Sequence, residues 1–203
     1  LAEWRLCMGD VLDNIRVVLV GTLYSGNVGS VCRAMANMGV SDLALAGPQI
    51  CDDWQDAVKM AVHAGEILGK RRETKNLAEA VEDCAFVVGT TARGGLYRQH
   101  VKTPRETAPE LLRLAASGRV ALVFGREDKG LTNEEIGMCT HLIRIPVHVG
   151  YTSLNLAQAV LLCCYELYAA LGIYEPPCEK SLPASVADKL KLTRLWREML
   201  LLI

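Results

Sequence analysis

The chain reads as an α/β domain built on a mainly parallel sheet with helices on both faces. Three observations carry that expectation. Runs of β-branched and aliphatic residues recur at 15–20, 43–46, 86–88, 120–124 and 141–145. The stretches between them have helical spacing, as parallel neighbours require, because a parallel crossover is long enough to hold a helix. Several of the runs then open into glycine-rich loops.

After the first run, Val28, Val31, Cys32 and Met35 fall on one side of a helix, while Ser30, Arg33 and Asn37 fall on the other. This helix is expected to pack by its first side and offer Arg33 from its second, with Gly39 at its C-terminal cap. Thr103-Pro104-Arg105-Glu106 or Thr107-Ala108-Pro109-Glu110 marks a later helix start, and Thr132-Asn133-Glu134-Glu135 has the pattern of a capping box. From 154 to 171 the residues Leu154, Ala157, Val160, Leu161, Cys164, Leu167, Tyr168 and Leu171 make one long buried stripe, which Gly172 ends. Pro176, Pro177 and Pro183 give the next stretch a linker composition. The expected organisation is a main domain over 11–172, a linker over 173–183 and a helical extension over 184–203.

Composition narrows the class. The 203 residues are 51% hydrophobic and 22% charged, enough for one sizeable core. No run approaches the roughly 20 uninterrupted apolar residues of a membrane span, and Glu3, Arg5 and Asp10 stand where a signal peptide would be apolar. A cytoplasmic protein without membrane contact is expected. The eight cysteines are scattered with no Cys-x-x-Cys, so reduced thiols are the expectation, and adjacent Cys163 and Cys164 suit helix packing better than a metal. A net charge of −1 gives no global attraction for nucleic acid, so RNA binding would depend on local clusters or on two subunits pooling charge.

The loop from Gly21 to Ser30 joins strand to helix but lacks the Gly-Lys-Ser/Thr ending of a P-loop and the glycine spacing of a dinucleotide fingerprint. Alone it reads as a structural turn carrying Asn27. Further loops leave the strands at Gly89-Thr90-Thr91-Ala92-Arg93, at Gly125-Arg126-Glu127-Asp128-Lys129-Gly130 and after Ile145. Ligands of open α/β sheets bind at the carboxyl ends of strands, so these loops would form a pocket if they converge. Of two basic clusters, Lys70-Arg71-Arg72 is flanked by Glu66 and Glu73 and reads as ordinary surface charge. The segment from Arg93 to Lys102, with Tyr97, Arg98 and His100, is the better candidate for phosphate and base contacts. The four histidines form no recognisable hydrolase triad.

Three segments together resemble the SpoU/TrmH methyltransferases, most closely the TrmJ subgroup. Val18-Val-Leu-Val-Gly with Gly26-Asn-Val-Gly-Ser-Val-Cys-Arg-Ala-Met-Ala-Asn-Met-Gly39 is similar to their first motif. Leu122-Val-Phe-Gly-Arg-Glu-Asp-Lys-Gly-Leu-Thr-Asn-Glu-Glu135 is similar to the second, and Ile143-Arg-Ile-Pro with Tyr151-Thr-Ser-Leu-Asn-Leu-Ala-Gln-Ala-Val160 to the third. Cys32 in a small-residue slot and Asp128 after Gly-Arg-Glu are mild departures.

The resemblance implies a C-terminal trefoil knot, a homodimer, and S-adenosyl-L-methionine bound in the knot. It implies methylation of a tRNA ribose 2′-hydroxyl, on cytidine or uridine at the first nucleotide of the anticodon loop. It places the cofactor among Thr90, Thr91, Ala92, Gly125, Arg126, Glu127, Ile145, Thr152, Ser153 and Leu154. It puts Arg33, Asn27, Ser153 and Asn155 at the catalytic positions, and Arg33, Arg93, Arg98 and Lys102 are the expected RNA contacts. No metal is implied. Arg33, whose pKa exceeds about 12, would orient the target and stabilise charge on its oxygen rather than accept a proton. A non-catalytic RNA-binding protein on the same fold, a methyltransferase for another tRNA or rRNA nucleotide, and, more remotely, a nucleotide-dependent oxidoreductase are the competing readings.

Overall fold

A computed structural model describes residues 11–50, 52–92, 101–174 and 184–201. The chain divides into two compact units, Leu1–Ile173 and Tyr174–Ile203. Within the first, six strands form one sheet: β1 (Ile15–Val20), β2 (Asp42–Ala46), β3 (Arg72–Thr74), β4 (Phe86–Thr90), β5 (Val120–Phe124) and β6 (His141–Ile143). Their order is β3-β2-β1-β5-β4-β6 and every pairing is parallel. From β1 the chain winds outward one way through β2 and β3; the later strands build the other side, so the winding reverses between β1 and β5.

The alternation of side chains along β1 explains the two layers. Ile15, Val17 and Leu19 share a core with α1 (Ser25–Asn37), α2 (Trp54–Ala61), α3 (Gly65–Lys70), α5 (Pro104–Ala115) and α7 (Leu156–Leu171). Val18 and Val20 point to the other face, against Leu77 and Ala80 of α4 (Leu77–Val81) and, through a neighbouring patch, Ile136 of α6 (Asn133–Gly137). Val28, Val31, Cys32 and Met35 are buried and Arg33 is exposed, as their helical spacing implies. Gly39 follows the helix at φ +72°, a left-handed turn that suits glycine.

Thr103 and Thr132 each form complete capping boxes, with Glu106 and Glu135, so Thr103 rather than Thr107 starts α5. Asn155 caps α7 by accepting from Ala157 N, which moves that helix start from 154 to 156; Gly172 ends it at φ +63°. Strand β6 is shorter than the run 141–145 because Arg144 N instead donates to Lys102 O and the chain turns away. The short edge strand β3 has no apolar run. Lys70 pairs with Glu66, Arg71 with Glu73, and Arg72 lies near Asp42 and Asp83, so each cation of the basic cluster has an acidic neighbour. The second unit, taken by itself, carries α8 (Val186–Leu200), started by Ser185 accepting from Asp188 N.

At the amino end of the sheet, Arg16 is 1% exposed. Its guanidinium donates to both carboxylate oxygens of Asp83, to Asp42 and to Ala80 O. This network satisfies a charge that would otherwise be costly to bury. Arg119 also pairs with Asp83 and Asp42. Cys163 and Cys164 are buried in α7, and burial pushes the Cys164 thiol up to about 12. Among the described residues, no group of three or more His, Cys, Asp or Glu could hold a metal, and no helix is long and apolar enough to cross a membrane.

Candidate active site

At the carboxyl ends of β1, β4, β5 and β6 the loops converge on two adjoining clefts. The first, of about 300 Å³, is walled by all ten residues the resemblance assigns to the cofactor, from Thr90 through Gly125 to Leu154. Thr90 Oγ1 donates to Val123 O and Thr91 N to Ile143 O, which ties the β4 exit to both neighbouring strands. Opposite, residues 126–130 close on themselves: Gly130 N donates to Arg126 O at 2.8 Å and Arg126 N to Gly130 O at 3.3 Å.

That turn is possible because of Gly125. A Cβ there would lie 2.2 Å from the Gly130 carbonyl carbon and 2.3 Å from Leu131 N, inside backbone that cannot give way cheaply. Gly21, at φ +58°, serves a similar purpose, because the Arg126 side chain lies across it. The guanidinium then reaches Glu135 with two bonds of 3.0 Å, a paired-fork geometry of the stronger sort. Burial works to raise the Glu135 pKa, but the bonds from Arg126 and Thr132 outweigh it and hold the carboxyl below its ordinary value. Arg126 thus shapes the cleft through its backbone, while its charge is turned to a neighbouring helix start.

The second cleft, of about 820 Å³, shares Glu127, Ser153, Leu154 and Leu156 with the first. It adds the start of α1 with Asn27 and Ser30, the rim of α2, and Tyr151 and Asn155. Glu127 sits in the common wall and organises it. One carboxylate oxygen accepts from Thr22 Oγ1 at 3.0 Å and Asn27 Nδ2 at 2.9 Å; the other accepts from Leu23 N at 3.1 Å. Asn27 Oδ1 in turn accepts from Asn155 Nδ2 at 3.1 Å, linking the first and third motifs across 128 positions of sequence. Three of the four expected catalytic residues, Asn27, Ser153 and Asn155, therefore face one cleft.

Arg33 lies in neither wall. It follows Ser30 by one turn on α1, is exposed, and has no ion-pair or hydrogen-bond partner among the described residues. Lys102 is exposed near the β6 exit, 3.3 Å from Glu110. Arg93 and Arg98 lie outside the described residues.

Some of the second cleft escapes sequence reasoning. Tyr24 is the N-cap residue of α1 but makes no side-chain cap; both oxygens of Asp52, from the loop after β2, accept from Ser25 N at 3.0 and 3.2 Å instead. Asp56, Lys59 and Met60 of α2 complete the rim. Their approach depends on Gly29, where a Cβ would lie 2.1 Å from Ala57 O. The Gly-x-x-Gly spacing at Gly26 and Gly29 was the one available signal.

Comparison with known proteins agrees with this geometry. The family model for the SpoU rRNA Methylase family matches residues 14–165. A tRNA (cytidine/uridine-2'-O-)-methyltransferase TrmJ from Pectobacterium atrosepticum is 42% identical over 185 residues, covering 89% of this chain and 76% of the relative. The chain spans only 62 to 65% of the length of other curated relatives it matches. A probable methylase family protein from Haemophilus influenzae superposes with a TM-score of 0.74 at 39% identity, over 93% of this chain and 78% of that one. TrmJ from Z. mobilis gives 0.70 at 36% identity, over 75% and 67%. With its motifs drawn together around one pair of clefts and three quarters of its length matched by the family model, the chain belongs to the SpoU methylase family.

Proposed function

We propose that this chain is an S-adenosyl-L-methionine-dependent methyltransferase. Its substrate is a tRNA ribose 2′-hydroxyl, on cytidine or uridine at the first nucleotide of the anticodon loop. The observation that carries the reading is the shared wall of the two clefts. Methyl transfer is an in-line displacement, so donor and acceptor must approach from adjoining sites with little between them. Glu127, Ser153 and Leu154 form such a boundary. The relatives' tRNA specificity supports the substrate class.

The first cleft suits the cofactor. Its Gly125 floor brings backbone close, and Leu131, Ile136, Ile145 and Val147 supply apolar walls for an adenine, with loop amides and carbonyls for its edge. When bound, the cofactor supplies an electrophilic methyl group. The chain's own residues do the rest. Asn27 and Asn155, locked together and to Glu127, present polar groups to the ribose beside Ser153. Arg33 contributes a charge that holds phosphate and stabilises negative charge developing on the 2′-oxygen.

Because Arg33 stands outside both clefts of its own chain, we place it beside the first cleft of a second copy in a homodimer. Two copies also pool Arg33, Lys102, Arg93 and Arg98 for tRNA, which a net charge of −1 would otherwise disfavour. The trefoil knot is part of this proposal, supported by family membership, as are the boundaries at 172 and 184.

The test is incubation with labelled S-adenosyl-L-methionine and an unmodified tRNA transcript, followed by nuclease digestion and mass spectrometry. A 2′-O-methyl at the start of the anticodon loop is the expected product; a methyl elsewhere discards the position, and no transfer discards the activity. Arg33→Ala should lose turnover with cofactor affinity unchanged. Mixed with a first-cleft variant, it should regain activity in heterodimers, and failure to do so would confine each site to one chain.

A further inference from the structure

The second cleft has an end that the proposed chemistry does not use. Ser153, Asn27 and Asn155 fix where the ribose must lie, at the boundary with the first cleft. The rest of the cleft extends away toward Tyr24 and α2. Two large side chains there are unusually open: Tyr24 is 56% exposed and Met60 is 49% exposed. Neither is explained by the core, and the Tyr24 side chain plays no part in capping its helix.

Charge decides which part of a nucleotide belongs at this end. A helix start ordinarily attracts phosphate, but the start of α1 is already occupied by the Asp52 carboxylate. Asp56 adds a second acid, and Lys59, which could have drawn a phosphate, is held to Asp56 at 3.0 Å. A phosphate is therefore disfavoured at the α2 end of this cleft. The nucleotide is oriented as a result: ribose at the asparagine pair, phosphate away from α2, base toward Tyr24 and Met60.

We infer that Tyr24 and Met60 grip the base of the nucleotide being methylated, and that α2 is the element setting which nucleotide is accepted. An aromatic ring offers a stacking platform, and a thioether side chain adapts to the opposite face. The grip is rigid because the Gly29–Ala57 backbone approach locks α2 to α1, which carries Asn27, and the Met60 side chain lies over Gly26. This inference rests on the proposed methyl transfer and extends it to base selection.

The experiment uses the full chain with S-adenosyl-L-methionine and tRNA transcripts, one of them carrying 5-iodouridine at the methylated position for photocrosslinking. Mass spectrometry should map the crosslink to Tyr24 or Met60. Tyr24→Ala should raise the apparent KM for tRNA about tenfold, the order of one lost base–aromatic stack, without changing cofactor affinity. Tyr24→Phe should restore it, because the ring suffices, and Met60→Ala should change the ratio of rates on cytidine and uridine substrates. Normal methyl transfer with the crosslink elsewhere, or with Tyr24→Ala within twofold of the parent, overturns the base grip and leaves the activity standing. Failure of the parent chain to methylate any tRNA overturns the functional reading and this inference with it.

Discussion

Replacing Glu127 by glutamine separates two roles that its place in the common wall would otherwise confuse. The amide has the carboxylate's shape but one acceptor oxygen fewer. If its NH2 takes the oxygen that faces Leu23, it meets an N–H that now donates at 3.1 Å, and two donors oppose each other. If the NH2 takes the other position, Thr22 can turn its hydroxyl to accept, but Asn27 must flip its amide. The flipped Asn27 would then present NH2 to Asn155 Nδ2, which now donates to its oxygen at 3.1 Å. Either way one donor is stranded and the charge assistance is lost, a local cost of about 2 kcal/mol. If the asparagine pair orients the ribose, that cost appears in the transition state as a fall in turnover of about 30-fold. Cofactor affinity should move less than about threefold, because both carboxylate oxygens already bond Thr22, Leu23 and Asn27. Single-turnover transfer to a tRNA transcript and titration calorimetry with S-adenosyl-L-methionine measure the two quantities. A glutamine variant that turns over normally, or one whose only defect is weaker cofactor binding, would refute the positioning role.

Three further outcomes follow from the geometry. Gly125→Ala pushes a methyl into the backbone of residues 130 and 131, so cofactor affinity should drop by about tenfold or more while far-ultraviolet circular dichroism stays native; unchanged affinity would show that the turn can shift. Val62 ends α2 at φ +53°, a conformation that strains a β-branched residue by roughly 1–3 kcal/mol, against roughly 0.5–1 for the added freedom of glycine. Val62→Gly should therefore raise the melting temperature by about 2–4 °C, and a fall would mean that the strain is absent. The Arg16 guanidinium bonded to Asp83 holds that carboxyl well below the usual range. Its contribution to stability is present above the unfolded pKa of about 3.9 and drains away as pH falls toward the lower folded value. The melting-temperature gap between parent and Asp83→Asn should accordingly narrow from pH 7 to pH 3; a constant gap would refute the linkage.

Legibility in the sequence follows from how local each determinant is. Strand β5 is an unbroken apolar run, and β1 is broken only by Arg16, because both faces are covered by helices, so their ends could be read to the residue. The capping box at Thr132 was equally plain, since it lies within four residues, whereas the start of α5 stood open between Thr103 and Thr107 because both are followed by a proline and a glutamate. Strand β3 was invisible because Arg72-Glu73-Thr74 lies at the sheet edge, where pairing with β2 rather than apolar character makes it a strand. The first cleft's residues came from motif resemblance, and the sheet order explains why they meet. What could not be read was the disposition of their charges: nothing near Arg126 marks that its guanidinium turns to Glu135 and away from a ligand. Nor does the sequence around 52–60 signal a cleft wall, because that depends on two helix backbones touching at Gly29.

The placement of the Arg16 network gives the sheet a division of labour along its strands. Ionic ties bind β1, β2 and the α4 end at the foot of the strands, and both clefts open at the rim. Substitutions at the rim can therefore explore new loops and substrates without loosening the foot, and changes at the foot will be felt as stability long before they are felt as specificity. A lineage built on this sheet has its anchor and its experiment at opposite ends of the same strands.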